Sequence, residues 1–532
     1  MSLRADPQLT AAYHAALSNW DAARATDRLW AKDASLWTGT TEASWLGWLD
    51  APASDAELGA LARQVLAAVP RHAHDVLVIG MGGSSLAAEV IARTIPLPGH
   101  TFHILDTTEP GAARDILSSI RWEHTAIVVA SKSGTTLEPD LLLTFALDAA
   151  RKSLGDYACK HVIAITDPGS RLAREGARLG FGDVVLGDPT IGGRYSALSP
   201  FGLVPAALCG VDLPRFARSA RAMAVECHER SSENPGVRLG VFLAEASRAG
   251  RDKCTLILPP SLEALGAWIE QLLAESIGKN GRLILPVDGE SLAEPDVYGD
   301  DRAFVHVRDD STPDAHQVAI DDLVAAGHAV FAVDVGAAPE LAGEFFRWEF
   351  ATAVAGAMLG VNSFDQPDVE ASKVATRALM ESSASVADGG GASLESVLAS
   401  VKPGDYVALL AYLPMWEPVQ DALQQARELI RAKLRVATSV GFGPRYLHST
   451  GQAFKGGPNT GVFVQLTRDV QHDVDVPGTN RTLCAVVAAQ AAGDRAVLRD
   501  RGRRVAHIHL RGDLDRALAE FERALRAALS SV

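Results

Sequence analysis

The stretch DVLVIGMGGSS, residues 75 to 85, decides the fold. Its first five residues are a β-rich run of strand length, apolar from Val76 to Ile79, its glycines make a turn, and the helical segment LAAEVIARTI follows directly. Strand, glycine turn and helix are the opening of a βαβ unit. Downstream, TAIVVA (125–130), HVIAITD (161–167) and DVVLGD (183–188) repeat the β-rich texture with helical stretches between them, which predicts a doubly wound parallel sheet. The same alternation returns in CTLILPP (254–260), RLILPV (282–287) and HAVFAVDV (328–335), and a third time in DYVALLAYL, GVFVQL and RVAHIHL. The expected organisation is α/β, with a helical segment over 1–70, a first domain over 71–230 and a second over 231–381. A Ser/Gly-rich linker over 382–402 then leads to a third, smaller α/β unit over 403–532, read as a partial repeat of the second.

A chain of 532 residues exceeds what one hydrophobic core usually supports, so several units are expected on length alone. The net charge of −15 disfavours nucleic acid and anionic membrane as partners, because both are bound by excess Lys and Arg. An anionic ligand must then meet a local positive site. The five cysteines are scattered with no metal-ligand spacing, which fits reduced thiols in a cytoplasm and predicts no metal. No run of apolar residues is long enough to span a membrane, and the N-terminus lacks a signal-peptide core.

Two loops carry the first chemistry. Gly80 to Ser85 lets the backbone approach a ligand and offers a helix start to an anion. A nucleotide site is the rival reading, but neither GxGxxG nor GxxxxGK[ST] occurs here. Ser131-Lys-Ser-Gly-Thr-Thr136 sets hydroxyl and ammonium donors at the end of the next strand, where open α/β sheets bind ligands. Its alternative is a polar loop that caps a helix.

GMGGSS followed by SKSGTTLEP resembles the sugar-isomerase (SIS) domain of the phosphoglucose isomerase family. The resemblance implies tandem SIS domains and an aldose–ketose isomerase that needs no cofactor. It assigns Ser131, Lys132, Ser133 and Thr136 to the sugar phosphate, with Gly83 and Ser84 lining the sugar. Gly192-Gly-Arg-Tyr-Ser196 resembles the family's GGRxS segment, whose arginine, here Arg194, is expected near the reacting carbons. Glu275-Ser-Ile-Gly-Lys279 resembles ESxGK, which makes Glu275 the isomerisation base. Phe364-Asp-Gln366 with Lys373 resembles the family's FDQ…K arrangement, which places Gln366 and Lys373 at the sugar.

The family also needs a ring-opening histidine, carried in short bacterial members by an LHSxGQ segment between the ESxGK glutamate and FDQ. No such segment stands there; Leu447-His448-Ser-Thr-Gly-Gln452 lies downstream of Lys373, in the third unit. This order resembles the isomerase region of transaldolase/phosphoglucose isomerase fusion proteins. Ordinary members receive the histidine from a neighbouring subunit, so the third unit is expected to imitate that neighbour, in a monomer or a homodimer. The implied reaction is glucose 6-phosphate to fructose 6-phosphate through an enediolate, with the base Glu275, Arg194 on the enediolate oxygen, and His448 with Lys373 opening the ring. A phosphoglucose/phosphomannose isomerase of broader specificity and a non-catalytic sugar-phosphate-binding SIS protein stay open as alternatives.

Overall fold

A computed structural model describes the chain except for residues 310–313, 337–339 and 382–391. The described residues form three sheets, whose strands are numbered along the chain. The first sheet holds β2 (Asp75–Ile79), β3 (Phe102–Leu105), β4 (Thr125–Ala130), β5 (Val162–Thr166) and β6 (Asp183–Leu186), all parallel, in the order β3-β2-β4-β5-β6. The second holds β7 (Lys253–Ile257), β8 (Leu285–Val287), β9 (Arg302–Asp309) and β10 (Ala329–Val335) in the order β8-β7-β9-β10. The third, β11 (Tyr406–Ala411), β12 (Ala437–Phe442), β13 (Gly461–Arg468) and β14 (Arg504–Leu510), runs β12-β11-β13-β14.

All three sheets therefore share one winding, second strand, first, third, fourth, which is the arrangement expected of repeated doubly wound units. Helices cover both faces, so β2, β4 and β5 are buried throughout and read in the sequence as continuous apolar runs. This α/β architecture is the one the alternation predicts.

Three departures follow from short or polar segments. The first 70 residues are not wholly helical, because Ser2–Arg4 forms β1 and pairs antiparallel with β10 at the edge of the second sheet. The helices that follow bury Leu9, Tyr13, Trp20 and Trp48 in one core with the helix Leu341–Leu359 and the face of the second sheet. The proposed linker lies partly outside the described residues, and its remainder folds. Ser393 caps the helix Leu394–Ala399, which buries Val397 and Leu398 in the third unit's core. Finally β12, ATSVGF, is a strand that its Thr, Ser and Gly content conceals.

The second and third units meet reciprocally. The helix after β7, Leu265–Ile277, packs on the segment after β12, while the helix after β11, Glu417–Leu434, packs on the segment after β8. One apolar cluster, including Leu285 and Val287 of β8 with Tyr406, Leu410 and Phe454, joins the two.

Candidate active site

The first sheet delivers its two loops side by side, because Ile79 is in register with Val129. Gly82 has φ of +55°, a conformation that favours glycine. A β-carbon there would stand 2.6 Å from the His448 carbonyl and 2.7 Å from Gln271 Nε2. One on Gly83 would stand 2.0 Å from the Gly193 carbonyl. These glycines let the loop dock against the GGR turn and the His448 segment, a packing reason beyond the approach to a ligand expected from sequence. Ser84 closes the same turn and is half-buried.

In the second loop Ser131 Oγ lies 3.3 Å from Thr136 Oγ1, and Ser133 Oγ lies 3.0 Å from Thr135 Oγ1. The helix Leu137–Leu154 starts immediately after, so its first N–H groups face the same place. The Lys132 ammonium points elsewhere. It pairs with Asp167 at 2.7 Å and donates to the Asp188 and Pro189 carbonyls, so it braces the loop to its neighbours. The positive charge expected of Lys132 at the phosphate is thus directed to a carboxylate, and the helix start with its hydroxyls is what the loop presents.

Glu275 ends the helix Leu265–Ile277, whose Leu265, Ile269, Leu272 and Leu273 are fully buried. Arg194 Nη1 lies 3.3 Å from Glu275 Oε1, and both side chains are buried. Arg194 is held in turn by the Ser363 carbonyl at 3.2 Å, the Asp365 carbonyl at 2.7 Å and Gln366 Oε1 at 3.2 Å. One turn before Glu275, Gln271 Nε2 donates to Glu275 Oε2 at 3.1 Å and to the His448 carbonyl at 2.8 Å. Arg194 Nε and Gln271 Oε1 are buried with no hydrogen-bond partner among the described residues. An unmet donor and an unmet acceptor beside one carboxylate suit a polyhydroxylated ligand.

The motifs are joined by residues that the sequence reading did not single out. Lys279 donates to the Asn362 carbonyl and to Asp365 Oδ1, each at 2.8 Å, and so ties the end of the Glu275 helix to the FDQ turn. Burial pulls its ammonium down to about 8 despite the neighbouring Asp365. Gln452 donates to the Gly278 carbonyl at 3.1 Å and to Asp368 at 2.6 Å. A β-carbon on Gly278 would come 2.4 Å from Ala453, which is why the helix can end against the third unit.

His448 enters this centre from the third unit of the same chain. Its Nε2 lies 3.1 Å from Glu138 Oε1, the glutamate of SKSGTTLEP. Burial pushes the Glu138 carboxyl up, but the charge and hydrogen bond of His448 outweigh it and hold Glu138 below the usual glutamate range. Gln490 donates to the same Glu138 oxygen at 2.7 Å and accepts from Thr108 at 2.7 Å. Lys373 stands apart from the Arg194–Glu275 pair. It is exposed on the helix Val369–Glu381, with Glu370 at 3.7 Å, and it reaches the centre only as a charge that helps to lower Glu138.

The structure thus brings Arg194, Glu275, Gln366 and His448 together and leaves Lys373 at the rim. Glu138 was visible inside a quoted motif, and Gln271 at four residues before Glu275 shares its helix face. Among the described residues no group of three or more His, Cys, Asp or Glu side chains is placed to hold a metal ion.

The family model for phosphoglucose isomerase matches residues 65–288, which include both loops, Arg194 and Glu275. A glucose-6-phosphate isomerase of Rubrobacter xylanophilus is 30% identical over 357 residues, covering 58% of this chain and 83% of that protein. One of Acaryochloris marina is 28% identical over 424 residues, 70% of this chain and 78% of its own length. Among solved structures, a hypothetical protein from Thermus thermophilus has a TM-score of 0.63 at 25% identity, covering 72% of this chain and 100% of its own. A glucose-6-phosphate isomerase from Chlamydia trachomatis shares the fold, with a TM-score of 0.52 at 21% identity over 61% of this chain and 73% of its own.

Proposed function

The chain belongs to the phosphoglucose isomerase family, and from that premise we propose that it interconverts glucose 6-phosphate and fructose 6-phosphate with Glu275 as the base. The observation that carries the assignment is the buried carboxylate of Glu275 held between the Arg194 guanidinium and the Gln271 amide.

In the open-chain aldose, Glu275 removes the proton on carbon 2. The released electron pair forms the double bond between carbons 1 and 2, and the carbonyl oxygen becomes the enediolate oxygen. Arg194 stabilises that charge, since its guanidinium is fixed in place by two carbonyls. Glu275 then returns the proton to carbon 1, while the proton of the carbon 2 hydroxyl passes to the oxygen of carbon 1. The phosphate, held by Ser131, Ser133, Thr136 and the start of the following helix, takes no part in bond changes and orients the sugar. Ring opening falls to His448, which Glu138 supports from behind. Lys373 acts from the rim as a long-range charge.

His448 meets Glu138 and Gln271 within one chain, which supports a centre assembled by a single chain and, with it, an active monomer. The displaced histidine motif further supports kinship with the isomerase portion of transaldolase fusion proteins. Conversion of glucose 6-phosphate by the Glu275→Gln protein tests the assignment. Retained activity in a folded variant would remove Glu275 from the mechanism.

A further inference from the structure

The third sheet carries a cavity of its own that the proposed isomerase reaction does not use. Over the carboxyl ends of β11, β13 and β14 lies a cavity of about 580 Å³, within the size range of small-molecule sites. Tyr412, Thr467, Arg468, His509 and Arg511 line it from the strand ends. Arg495 enters from the helix Leu483–Asp500, whose Val487, Ala488 and Ala491 make an apolar wall. In this winding the first and third strands are neighbours whose following connections lead to opposite sides of the sheet order, and that switch point is where doubly wound sheets take ligands. The first sheet carries its Ser131–Thr136 loop at the corresponding strand end.

The lining chemistry selects an anion. Three guanidiniums and two imidazoles converge in a chain whose net charge is −15. Three carboxylates share the lining, and two of them are partners of these same cations, so the exposed Arg511 is the charge an incoming anion meets first. Glu109 pairs with Arg468 at 2.5 Å and caps the helix Pro110–Ser119 through the Ala112 N–H at 2.8 Å. Asp469 accepts from His509 at 2.9 Å, and Asp473 accepts from the N–H groups of Val474 and Cys484 at 2.7 and 3.0 Å. Arg511 stands exposed among the lining residues. A phosphate near the arginines with a short carbon body against Val487, Ala488 and Ala491 fits this division.

The cavity wall is also the support of the ring-opening histidine. Gln490, adjacent in sequence to the wall residue Ala491, holds Glu138 at 2.7 Å, and its other bond goes to Thr108, the neighbour of the wall residue Glu109. A ligand that shifted this helix or Glu109 would act on the partner of His448 through these two bonds. We propose that this cavity is an effector site for a small phosphorylated metabolite, whose occupancy acts on His448 through Gln490 and Glu138. The ligand site stands on the cavity alone, and the effect on turnover rests on the roles given above to Glu138 and His448.

The test uses the full chain with glycerol 3-phosphate as probe, titrated calorimetrically while the sugar site is saturated with the equilibrium mixture of the two hexose phosphates. A second binding event is expected. Arg511→Ala and Ala488→Trp, which remove a surface charge and fill an exposed wall position, should each weaken it about tenfold or more, near 1.4 kcal/mol. In assays without the probe both variants keep the parent kcat and KM. With the probe, the parent shows a change in kcat of about twofold or more that both variants lack, beside ordinary competition at the sugar, which they keep. Absence of a second event, or one that both variants leave intact, overturns the site. Binding that leaves kcat unchanged overturns the effector role, and loss of basal turnover on Glu275→Gln is a separate readout.

Discussion

Two junctions between the second and third units are built alike and hold opposite chemistry. At one, Gln271 donates to the carbonyl of His448 at 2.8 Å, and Glu275 one turn later stands beside Arg194. At the other, Arg427 donates to the carbonyl of Asp288 at 2.8 Å, and Arg431 one turn later stands 3.6 Å from Glu290. The first junction ends in a buried carboxylate and an imidazole. The second is closed by a fully buried pair, Arg302 with Glu290 at 2.9 Å, which also takes a hydrogen bond from Thr438 at 2.9 Å. The Tyr298 ring lies 5.3 Å from both Arg302 and Arg431. An arginine cannot accept a carbon-bound proton, so this second junction is a clamp. One repeated scaffold holds the proposed catalytic carboxylate at one junction and a clamp at the other.

The largest break of the comparison is expected from Glu275→Gln. It should lower kcat by about a thousandfold, within the usual range for a positioned base, with thermal unfolding unchanged. Next comes His448→Asn, expected to cost on the order of a hundredfold with the cyclic substrate. Mixing it with Glu275→Gln sharpens the point, because centres formed within one chain give no recovery, whereas centres shared between chains would regain part of the activity.

Glu290→Gln probes the other junction. Removing one member of a buried pair costs about 3–5 kcal/mol, so urea unfolding should shift by that amount while kcat of the folded protein stays put. Burial pushes Glu290 up, but Arg302, Arg427 and Arg431 hold it below its ordinary value of 4.5. The unfolded chain then binds the proton more readily, so the stabilisation is complete above about pH 4.5 and fades as the pH falls further. The variant should show a flatter acid limb. The smallest effect is expected from Gln490→Ala, which leaves Glu138 with one donor fewer. A several-fold fall in kcat with a displaced pH profile would mark it as a positioning residue, and an unchanged profile would make it structural.

The legible parts of the molecule were those where one physical pressure acts. Strands buried on both faces, such as TAIVVA, must be apolar runs, and ligand loops at their ends must be small and polar. The strand ATSVGF was hidden because its side chains answer also to Thr438–Glu290 and to Tyr446 packed on Gly441. Ser2–Arg4 is too short to show a period. Glu138 and Gln271 escaped notice because their partners, His448 and its carbonyl, are 310 and 177 residues away. Lys132 and Lys373 show the converse. The family resemblance of their motifs placed each near a site, but only the fold shows one ammonium turned to Asp167 and the other half out in solvent.

The closed second junction has a kinetic consequence. A symmetric pair of subunits carries two equivalent centres, and binding at one can alter the other, which gives sigmoidal saturation. Here Arg431 and Asp288 occupy the places that would make the second centre. One such centre per chain predicts saturation by sugar phosphate along a simple hyperbola, and sigmoidal steady-state kinetics would break that reading.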